Sequence, residues 1–438
     1  MNVVLIGGGG REHALGMKLR ESPRLRELFI ANPENPGLAA IGRPVTVPVS
    51  TREAYRLVQF CAKNDIGLVV IGPEDPLAEG FADKLRAEGL RVFGPNADGA
   101  RLEADKAWSK QLMRSASIPT AEGRIFSDPE AAQAWLKSRE HAPVVKAAGL
   151  AKGKGVVVPA TVAEAAEAID RIMVKRVFGD AGRTVLLEER LNGTEVSVLA
   201  LVDGQSIYVL ETCQDHKRLL DDDKGPNTGG MGAYCPARNV DEELMDRVQR
   251  QVLVPTLDAL RREGIDFRGV LYAGLMLTPA GPKVLEYNVR FGDPECQALM
   301  PRLESDLLDV MLAVCDQRLS EVELRWKPGA SCCVVLAAEG YPDKPRSGDV
   351  ITGIEDAQKL PDVHVYHAGT KRNADGEIVT AGGRVLTVAA TGADLEDARQ
   401  KAYAACDRIN FRGKHLRRDI GAAQGGGGDA PGAGSGRR

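Results

Sequence analysis

The sequence predicts a multidomain protein of mixed α/β and α+β class that begins with a parallel α/β domain. Three observations support this expectation. The chain has 438 residues, which at roughly 150 residues per domain indicates about three domains. Its composition, with 43% hydrophobic and 27% charged residues, is that of an ordinary globular protein. Strands and helices alternate over the first hundred residues at the spacing of a parallel sheet with right-handed crossovers.

The first domain begins with an apolar run at residues 2–6, whose length and β-branching are typical of a buried strand. Four glycines, Gly7 to Gly10, follow this run, and a helix starts at Arg11. The further helices and strands of this unit are expected at residues 52–63, 67–71, 77–88 and 91–95. Together they predict an N-terminal α/β domain over residues 1–103.

Beyond Lys106 the pattern changes to short strands and longer helices. We expect strands at 143–146, 156–158, 184–189, 195–202, 206–210, 270–277 and 283–288, and helices at 163–174 and 241–263. A strand-rich segment follows, with strands at 331–338, 363–368 and 384–389 and a helix at 395–409. The predicted domains are a central one over 110–314 and a small mixed one over 328–422. The Gly-rich residues 425–438 cannot bury a core and predict a disordered tail.

Composition excludes several classes of protein. The formal net charge of −4 argues against a generally basic protein that coats nucleic acid. No run approaches 18 apolar residues, so no membrane span is expected, and the N-terminus lacks the features of a signal peptide. Eight cysteines without a Cys-x-x-Cys motif match neither a zinc site nor a disulfide scaffold. Free thiols in a chain of this size indicate the cytoplasm.

The glycines Gly7 to Gly10 form the first candidate binding loop. Glycines allow a close backbone approach to an anion, and the following helix N-terminus supplies free N–H groups. A dinucleotide site is one alternative, but no clear acidic partner for a ribose follows, and the prolines around Glu34 favour a substrate loop. A plain strand-to-helix turn is the other alternative.

A second loop lies between two predicted strands and contains Lys152, Gly153, Lys154 and Gly155, with Lys146 on the strand before it. Backbone N–H groups and lysines in such a hairpin can neutralise polyphosphate oxygens. The loop is not a Walker motif, because no Gly-Lys-Ser/Thr follows the strand. A solvated turn is the alternative interpretation.

The third candidate is a constellation of Glu286, Asn288 and Arg290 on one strand. Strand alternation places these three side chains on the same face. Carboxylate and amide oxygens suit Mg²⁺, which takes few protein ligands beside phosphates and waters. Arg290 can stabilise a phosphoryl group in transfer or an acyl phosphate. A structural salt bridge is the alternative.

Two further segments could bind a nucleotide or substrate. The strand end at Glu188 and Glu189, with Leu191 after it, has backbone groups that could pair with an adenine edge, and Glu195 could bind ribose hydroxyls. A charged strand end is the simpler alternative. The polar, Gly-rich residues 214–232 predict a long loop, and loops of that length are usually functional.

Taken together, these motifs resemble the phosphoribosylamine–glycine ligase family, ATP-grasp enzymes of purine biosynthesis. The motifs that carry the resemblance are residues 8–14, 72–74, 146–156, 214–218, 225–234 and 288–295. The resemblance extends to about residues 414–421. The chain differs from the family's usual pattern at Lys152 and in its Gly-rich tail.

The resemblance implies a central ATP-grasp domain with a mobile lid at about 120–190. It also implies that ATP, glycine and 5-phospho-β-D-ribosylamine give glycinamide ribonucleotide, ADP and phosphate through glycyl phosphate, with Mg²⁺ or Mn²⁺. The protein would act as a cytoplasmic monomer on small molecules, with no nucleic acid or membrane partner. The alternatives are another purine-pathway ATP-grasp ligase, a dinucleotide-dependent oxidoreductase and a non-catalytic ATP-binding regulator.

The resemblance also assigns roles to residues. The ATP-binding residues are Lys106, Lys146, Lys152, Gly153, Lys154, Gly155, Glu188, Glu189, Leu191 and Glu195. The metal ligands are Glu286 and Asn288, and the catalytic residues facing glycine and its acyl phosphate are Arg290 and Asp293. The substrate-binding residues are Gly9, Gly10, Arg11, Glu74, Asp215 and Lys217. The strand before Glu286 offers no additional metal carboxylate.

Overall fold

The computed structural model describes residues 1–151, 154–238 and 240–422. The predicted disordered tail, 425–438, lies outside these residues, as do the predicted phosphate contacts Lys152 and Gly153. Within the described residues, the structure is built from an N-terminal, a central and a C-terminal segment.

The N-terminal segment is a five-stranded parallel sheet in the order β3-β2-β1-β4-β5. Its strands are β1 (Asn2–Ile6), β2 (Glu27–Ile30), β3 (Arg43–Pro44), β4 (Ile66–Ile71) and β5 (Val92–Phe93). Its helices are α1 (Gly10–Leu19), α2 (Pro36–Ile41), α3 (Ala54–Lys63), α4 (Glu74–Ala78) and α5 (Phe81–Ala87). The central strand β1 is buried along its whole length, as expected where helices cover both faces of a parallel sheet. The predicted parallel α/β class is confirmed.

Two details of this segment differ from the prediction. The helix expected over 77–88 is two helices, α4 and α5, because Gly80 between them has a left-handed backbone with φ of +75°. Residues 20–50, for which only a substrate loop was predicted, contain β2, α2 and β3. These elements are too short to produce a periodic pattern. Asn35, in the expected loop, caps α2.

The central segment contains two antiparallel sheets, in the orders β6-β9-β7-β8 and β11-β10-β16-β17. The strands are β6 (Gly123–Phe126), β7 (Val144–Ala147), β8 (Val156–Val157), β9 (Val185–Glu188), β10 (Thr194–Asp203), β11 (Ile207–Val209), β16 (Arg268–Thr278) and β17 (Gly281–Asn288). The helices are α6 (Ala97–Ala104), α7 (Lys106–Ser115), α8 (Pro129–Lys137), α9 (Val162–Ile169), α10 (Glu242–Val248), α11 (Val254–Arg262), α12 (Glu295–Leu299) and α13 (Leu307–Cys315).

The two long helices predicted in this segment are interrupted by π-type turns. The turn Gln249–Leu253 separates α10 from α11. Pro255 follows it and has no N–H to continue the hydrogen-bond ladder, so the helix adjusts locally. The π-type segment Asp170–Val174 directly continues α9, so the helix predicted over 163–174 is present but changes its hydrogen-bond pattern after Ile169.

Residues 214–232, predicted as one long loop, contain short strands instead. These are β12 (Gln214–Asp215), β13 (Arg218–Leu220), β14 (Lys224–Asn227) and β15 (Gly232–Cys235). The prediction was wrong because β15 pairs with a strand about a hundred residues later, and local sequence does not reveal such a partner. Of these strands, β12 and β15 belong to a five-stranded sheet, whereas β13 and β14 pair with each other in a separate two-stranded sheet.

The C-terminal segment completes that five-stranded sheet, in the order β12-β15-β18-β22-β19. Its elements are β18 (Ala330–Ala337), α14 (Ile354–Gln358), β19 (Val363–His367), β20 (Thr370–Arg372), β21 (Ile378–Thr380), β22 (Arg384–Gly392) and α15 (Leu395–Arg408). The mixed architecture agrees with the prediction. The exact domain boundaries stay a prediction, since the central segment contributes two strands to this sheet.

One hydrophobic cluster joins all three segments, with Leu5, Leu199 and Cys333 among its buried members. The apolar helix α13 lies within it and is buried over most of its length. The three segments therefore pack as neighbours around a shared core. No helix within the described ranges has the length and hydropathy needed to cross a bilayer.

Candidate active site

A cavity of about 790 Å³ lies where the three segments meet. Most of the predicted site residues line it. They are Gly9, Arg11, Glu74, Lys106, Lys146, Gly155, Glu188, Glu189, Leu191, Glu195, Asp215, Lys217, Glu286, Asn288, Arg290 and Asp293.

Two described candidates do not line this cavity. Gly10 packs closely against Gln297, whose Nε2 lies 2.8 Å from the position a Cβ on Gly10 would take. Lys154 instead donates from Nζ to the carbonyl oxygen of Pro342 at 3.1 Å. In this structure neither residue faces the space that a substrate would fill.

The glycine loop wraps around a carboxylate that the sequence interpretation missed. The Gly9 N–H donates to Oε2 of Glu12 at 2.8 Å, and Arg11 Nε donates to Oε1 at 2.6 Å. A Cβ on Gly72 would lie 2.1 Å from Glu12 Oε1, so glycine is required there. A glutamate three residues after the N-cap forms one half of a capping box, and this spacing could have identified Glu12. Arg11 Nη1 also donates to the Phe291 carbonyl at 3.2 Å.

The Arg290 guanidinium sits between two carboxylates of the N-terminal part of the chain. Its Nε donates to Glu74 at 3.1 Å, and its Nη2 donates to Glu103 at 2.8 Å and to Asn288 at 3.4 Å. Burial alone would raise the pKa of Glu74, but Arg290 and Arg11 lower it to about 2. Burial raises the pKa of Glu103 despite Arg290 beside it. With a fourth bond from Nη1 to the Phe291 carbonyl, four of the five N–H groups of Arg290 have protein acceptors.

A buried triad of charged side chains connects the sheet β6-β9-β7-β8 to α7. Glu188 forms two ion pairs: its Oε1 lies 2.5 Å from Lys110 Nζ, and its Oε2 lies 2.6 Å from Lys146 Nζ. Lys146 also donates to the Leu285 carbonyl at 2.9 Å. Lys110 was not predicted, although its position one helical turn after Lys106 places both on one face of α7. Burial lowers the pKa of Lys110.

The backbone of Glu189 is less available for adenine than expected. Its N–H donates to the Glu122 carbonyl at 2.8 Å, and its carboxylate accepts from Glu122 N and from Lys283. Leu191, beyond the strand, lines the cavity. Of these two candidates, Leu191 is therefore the better placed to contact a base.

Lys217 bridges two predicted ligand residues from different strands. Its Nζ lies 3.3 Å from Glu195 Oε2 and 4.0 Å from Glu286 Oε1. Despite its burial, these carboxylates raise the pKa of Lys217 well above its usual value. Burial alone would raise the pKa of Glu286, but Lys217 and Lys106, with other cations nearby, lower it. Glu286 is thus an ionised carboxylate in a cation-rich wall.

Two acidic residues, Asp215 and Glu295, also line the cavity. Glu295 Oε1 accepts from Tyr272 at 2.5 Å and from Ser197 at 3.1 Å. Burial, together with Glu295 nearby, raises the pKa of Asp215 well above its usual range. The Asp215 Oδ1 atom is buried and has no hydrogen-bond partner among the described residues. Two close carboxylates with an unused acceptor suit a small cationic group.

The C-terminal segment contributes Arg384, another residue that was not predicted. It forms an ion pair with Asp293 at 3.2 Å and donates to the carbonyls of Asp293 and Gly229, both at 2.6 Å. Gln297 also donates to Asp293 at 2.6 Å. Burial would raise the pKa of Asp293, but Arg384 and Arg11 lower it. Asp293 is therefore held as a carboxylate by Arg384 and Arg11, which are distant in sequence, and by the neighbouring Gln297.

Family profiles described as the phosphoribosylglycinamide synthetase N domain, ATP-grasp (A) domain and C domain match residues 1–103, 104–296 and 331–423. The chain belongs to the phosphoribosylglycinamide synthetase family. This membership confirms the predicted family, the ATP-grasp fold and the class of enzyme, a ligase of purine biosynthesis.

Individual proteins of the family are similar to this chain over 96% of its length. A phosphoribosylamine–glycine ligase from Rhodopirellula baltica is 50% identical over 427 residues, covering 96% of this chain and 97% of that protein. A trifunctional purine biosynthetic protein adenosine-3 from Gallus gallus is 49% identical, covering 96% of this chain and 42% of that protein. The crystal structure of phosphoribosylamine–glycine ligase from Thermotoga maritima superposes with a TM-score of 0.82 at 34% identity, over 96% of this chain and 100% of that one.

The donor set of Glu286 and Asn288 fits a divalent ion bound with ATP. Their strand faces the cavity, and Gly274, not a carboxylate, is paired opposite Glu286 on β16. In the described parts of the chain, no group of three or more His, Cys, Asp or Glu residues could hold a metal alone. Mg²⁺ commonly takes one or two protein oxygens and completes its shell with phosphates and waters, so two ligands suffice.

Proposed function

We propose that this synthetase-family chain ligates glycine to 5-phospho-β-D-ribosylamine, consuming ATP and giving glycinamide ribonucleotide, ADP and phosphate. One observation carries the proposal. A single cavity brings a lysine-lined wall, a two-oxygen cation site and a buried acid pair beside a glycine loop. The lysines and the cation site suit a triphosphate with its metal. The acid pair suits an ammonium group, and the glycine loop suits a sugar phosphate.

ATP would occupy the wall formed by β7, β9 and α7. Lys146 and Lys106 line it, and no carboxylate of the described residues lies within ion-pair distance of Lys106. Lys106 is therefore available to a phosphate without breaking a pair. Leu191 and Glu195 line the same side and would contact the adenosine.

Glu286 and Asn288 would hold Mg²⁺ or Mn²⁺, which supplies charge neutralisation between the terminal phosphates of ATP. Arg290 lies next to Asn288 and has one N–H group left for the phosphoryl oxygen in transfer. Glu74 and Glu103 fix the plane of its guanidinium, so this donor is oriented before substrate arrives.

Glycine would bind with its ammonium group at Asp215 and Glu295. The unpartnered oxygen of Asp215 supplies the acceptor, and burial strengthens the interaction. A carboxylate does not condense with an amine in water without activation. Transfer of the γ-phosphoryl to the glycine carboxylate gives glycyl phosphate, from which phosphate leaves when the amine attacks. The enclosed cavity would protect this acyl phosphate from water.

Phosphoribosylamine would bind at the glycine loop, with Gly9 and Arg11 near its phosphate. Arg11 is already held by Glu12 and would contribute its remaining donors. Asp293 lies between this loop and Arg384, a position from which an ionised carboxylate could orient the attacking amine. Gly10, which faces Gln297 here, would contribute backbone only.

A coupled assay of ADP release tests the reaction. We expect ADP and phosphate to form only when ATP, a divalent ion, glycine and phosphoribosylamine are all present, with glycinamide ribonucleotide as the product. Omission of each component is the control. Equal ADP release with formate or bicarbonate in place of glycine would identify a different carboxylate ligase, and tight NAD binding without ADP release would support the oxidoreductase alternative.

The same proposal includes a monomeric protein in the cytoplasm. The cytoplasm is supported by the eight cysteines, all of which are buried free thiols in the structure. Reduced thiols persist in a reducing compartment. Gel filtration with light scattering would test the monomer, with a mass near 46.9 kDa as the expected value.

A further inference from the structure

The N-terminal segment contacts the edge strand of the C-terminal sheet through a pair of buried side chains. Strand β19 is the last strand of that sheet, and its terminal residue His367 lies against α1 and α2. His13 Nδ1 accepts a hydrogen bond from the His367 N–H at 2.9 Å. Asn35 Nδ2 donates to the His367 carbonyl oxygen at 3.0 Å. Two side chains therefore satisfy both backbone groups of one residue.

The orientation of the Asn35 amide is fixed by its surroundings. Its Oδ1 accepts from the N–H groups of Gly37 and Leu38 at 2.9 and 3.3 Å, which caps α2. Its Nδ2 consequently points at carbonyl oxygens: that of His367, that of Ala368 at 3.4 Å, and that of Gly8 at 2.8 Å. The last of these carbonyls belongs to the glycine loop. One amide thus joins the loop, α2 and strand β19.

The histidine of this contact is neutral and enclosed. Burial, with His367 beside it, lowers the pKa of His13 to about 3, so its Nδ1 can accept at neutral pH. A Cβ on Gly37 would lie 2.3 Å from His13 Cε1, so only glycine leaves room for the ring. His13 and Asn35 are 4% and 2% exposed. Neither touches the cavity, so the reaction described above does not use them directly.

We propose that Asn35 and His13 are positioning residues that hold the glycine loop against strand β19 and so set the geometry of the sugar-phosphate subsite. The inference rests on the proposed function for the identity of the ligand at the loop. The physical argument is that an anion gains most from N–H groups that are fixed before binding, because they need not be ordered when it arrives. The Gly8 carbonyl is fixed by Asn35, and the helix that begins at Gly10 is fixed by His13. Both Asn35 and His13 are in turn hydrogen-bonded to the backbone of His367, in the C-terminal segment.

The test replaces Asn35 with aspartate. Asn35→Asp keeps the oxygen that caps α2 but places a carboxylate against three carbonyl oxygens, so the contact to the loop is lost while the helix cap remains. The matched control is Asn96→Asp, since Asn96 caps α6 through its Oδ1 in the same way, accepting from Gly99 N–H at 2.9 Å. Two quantities are measured: amide hydrogen exchange at residues 8–10, and the KM values of the three substrates.

We expect exchange at residues 8–10 to become about tenfold faster in Asn35→Asp, and the KM for phosphoribosylamine to rise about tenfold. The KM values for ATP and glycine should stay unchanged, and Asn96→Asp should resemble the wild type in both measurements. Faster exchange with an altered KM for ATP alone would support the positioning role but would contradict the proposed substrate at the loop. Unchanged exchange in Asn35→Asp would overturn the inference, whatever the kinetics.

A second pair of variants decides the question if Asn35→Asp does not fold. His13→Gln offers an oxygen that can accept from the His367 N–H, whereas His13→Leu keeps similar volume without an acceptor. We expect exchange at residues 8–10 and the KM for phosphoribosylamine to rise in His13→Leu and to be largely restored in His13→Gln. Equal values in the two variants would overturn the positioning role, because the hydrogen bond would then not matter.

Discussion

The most exacting prediction from this structure concerns Glu188, whose carboxylate lies between two buried lysines. Lys110 and Glu188 are 1% and 2% exposed, and the ion pairs to Lys110 and Lys146 measure 2.5 and 2.6 Å. Glu188→Gln keeps the shape of the side chain and removes its charge. Two ammonium groups then remain beside each other without a counter-ion, while their bonds to Thr120, Ala121 and the Leu285 carbonyl persist.

The size of the effect follows from this burial. Removing one partner of a buried ion pair destabilises a protein by about 3–5 kcal/mol, because the charge left behind is uncompensated. For a cooperative unit of about 200 residues, each kcal/mol lowers the melting temperature by about 2–4 °C, so the variant should melt about 6–20 °C lower at neutral pH. A surface pair such as Arg43–Glu27 provides the control, since Glu27→Gln should change stability by less than about 1 kcal/mol.

The loss of stability caused by Glu188→Gln should also depend on pH. Burial already lowers the pKa of Lys110 in the folded protein, and loss of Glu188 lowers it further. Where the folded pKa lies below that of the unfolded chain, the unfolded chain binds more protons between the two values, and stability rises with pH. In the variant, the pH range over which stability rises begins at a lower pH, because the folded pKa of Lys110 is lower. The difference in melting temperature from the wild type should therefore shrink as the pH is raised from 7 towards 10.

A compensating variant separates charge from packing. Lys110→Met in the Glu188→Gln background removes one of the two unpaired cations, so that Lys146 no longer has a second ammonium group beside it and keeps its Leu285 bond. Replacing the buried Lys110–Glu188 pair by neutral groups of similar volume is often neutral, so the part of the lost stability that comes from Lys110 should return. Wild-type melting of Glu188→Gln, or a double variant no more stable than the single one, would refute the electrostatic explanation of this triad.

The remaining predictions concern the cavity. Glu286→Gln should leave the melting temperature nearly unchanged and lower kcat at least about a hundredfold, or about 2.7 kcal/mol, in a Mg²⁺ titration; normal turnover at ordinary Mg²⁺ would contradict its role as a ligand. Arg384→Gln should raise the KM for phosphoribosylamine or glycine more than that for ATP, because Arg384 holds Asp293 and the Gly229 carbonyl; a selective change in the KM for ATP would contradict this. Arg11→Ala should raise the KM for phosphoribosylamine about tenfold and leave that for ATP unchanged, since one charge-assisted hydrogen bond is lost.

The elements that sequence predicted correctly are those whose signal is local. The apolar run of β1, the hairpin of β10 and β11, and the alternation along β17 depend on neighbouring residues. The alternation also placed Glu286, Asn288 and Arg290 on one face, and the structure brings all three to the cavity. The strands between residues 214 and 235 have no such signal, because β15 is defined by its pairing with β18.

The site residues that the sequence did not predict also include some that are brought in only by long-range contacts. Arg384 and Glu103 reach the cavity from segments distant in sequence, and neither carries a motif that marks it. Lys110 and Glu12 could have been found, the first from its position one helical turn after a predicted ligand and the second from its capping-box spacing. The sequence does not predict which charged side chains pair with one another.

That pairing explains how a site for several anions can fold before any anion is bound. Five of its cations have a protein carboxylate within reach: Arg11 with Glu12, Lys146 with Glu188, Lys217 with Glu195, Arg290 with Glu74, and Arg384 with Asp293. Unpaired, these cations would repel one another in a region of low dielectric and oppose folding. A phosphate that arrives does not need to create a positive site. It exchanges one charge-assisted hydrogen bond for another, so the free energy of binding depends on the difference between two partners rather than on a full desolvation. The same exchange favours substrates that carry negative charge, because a neutral ligand offers these cations nothing better than the carboxylates they already hold.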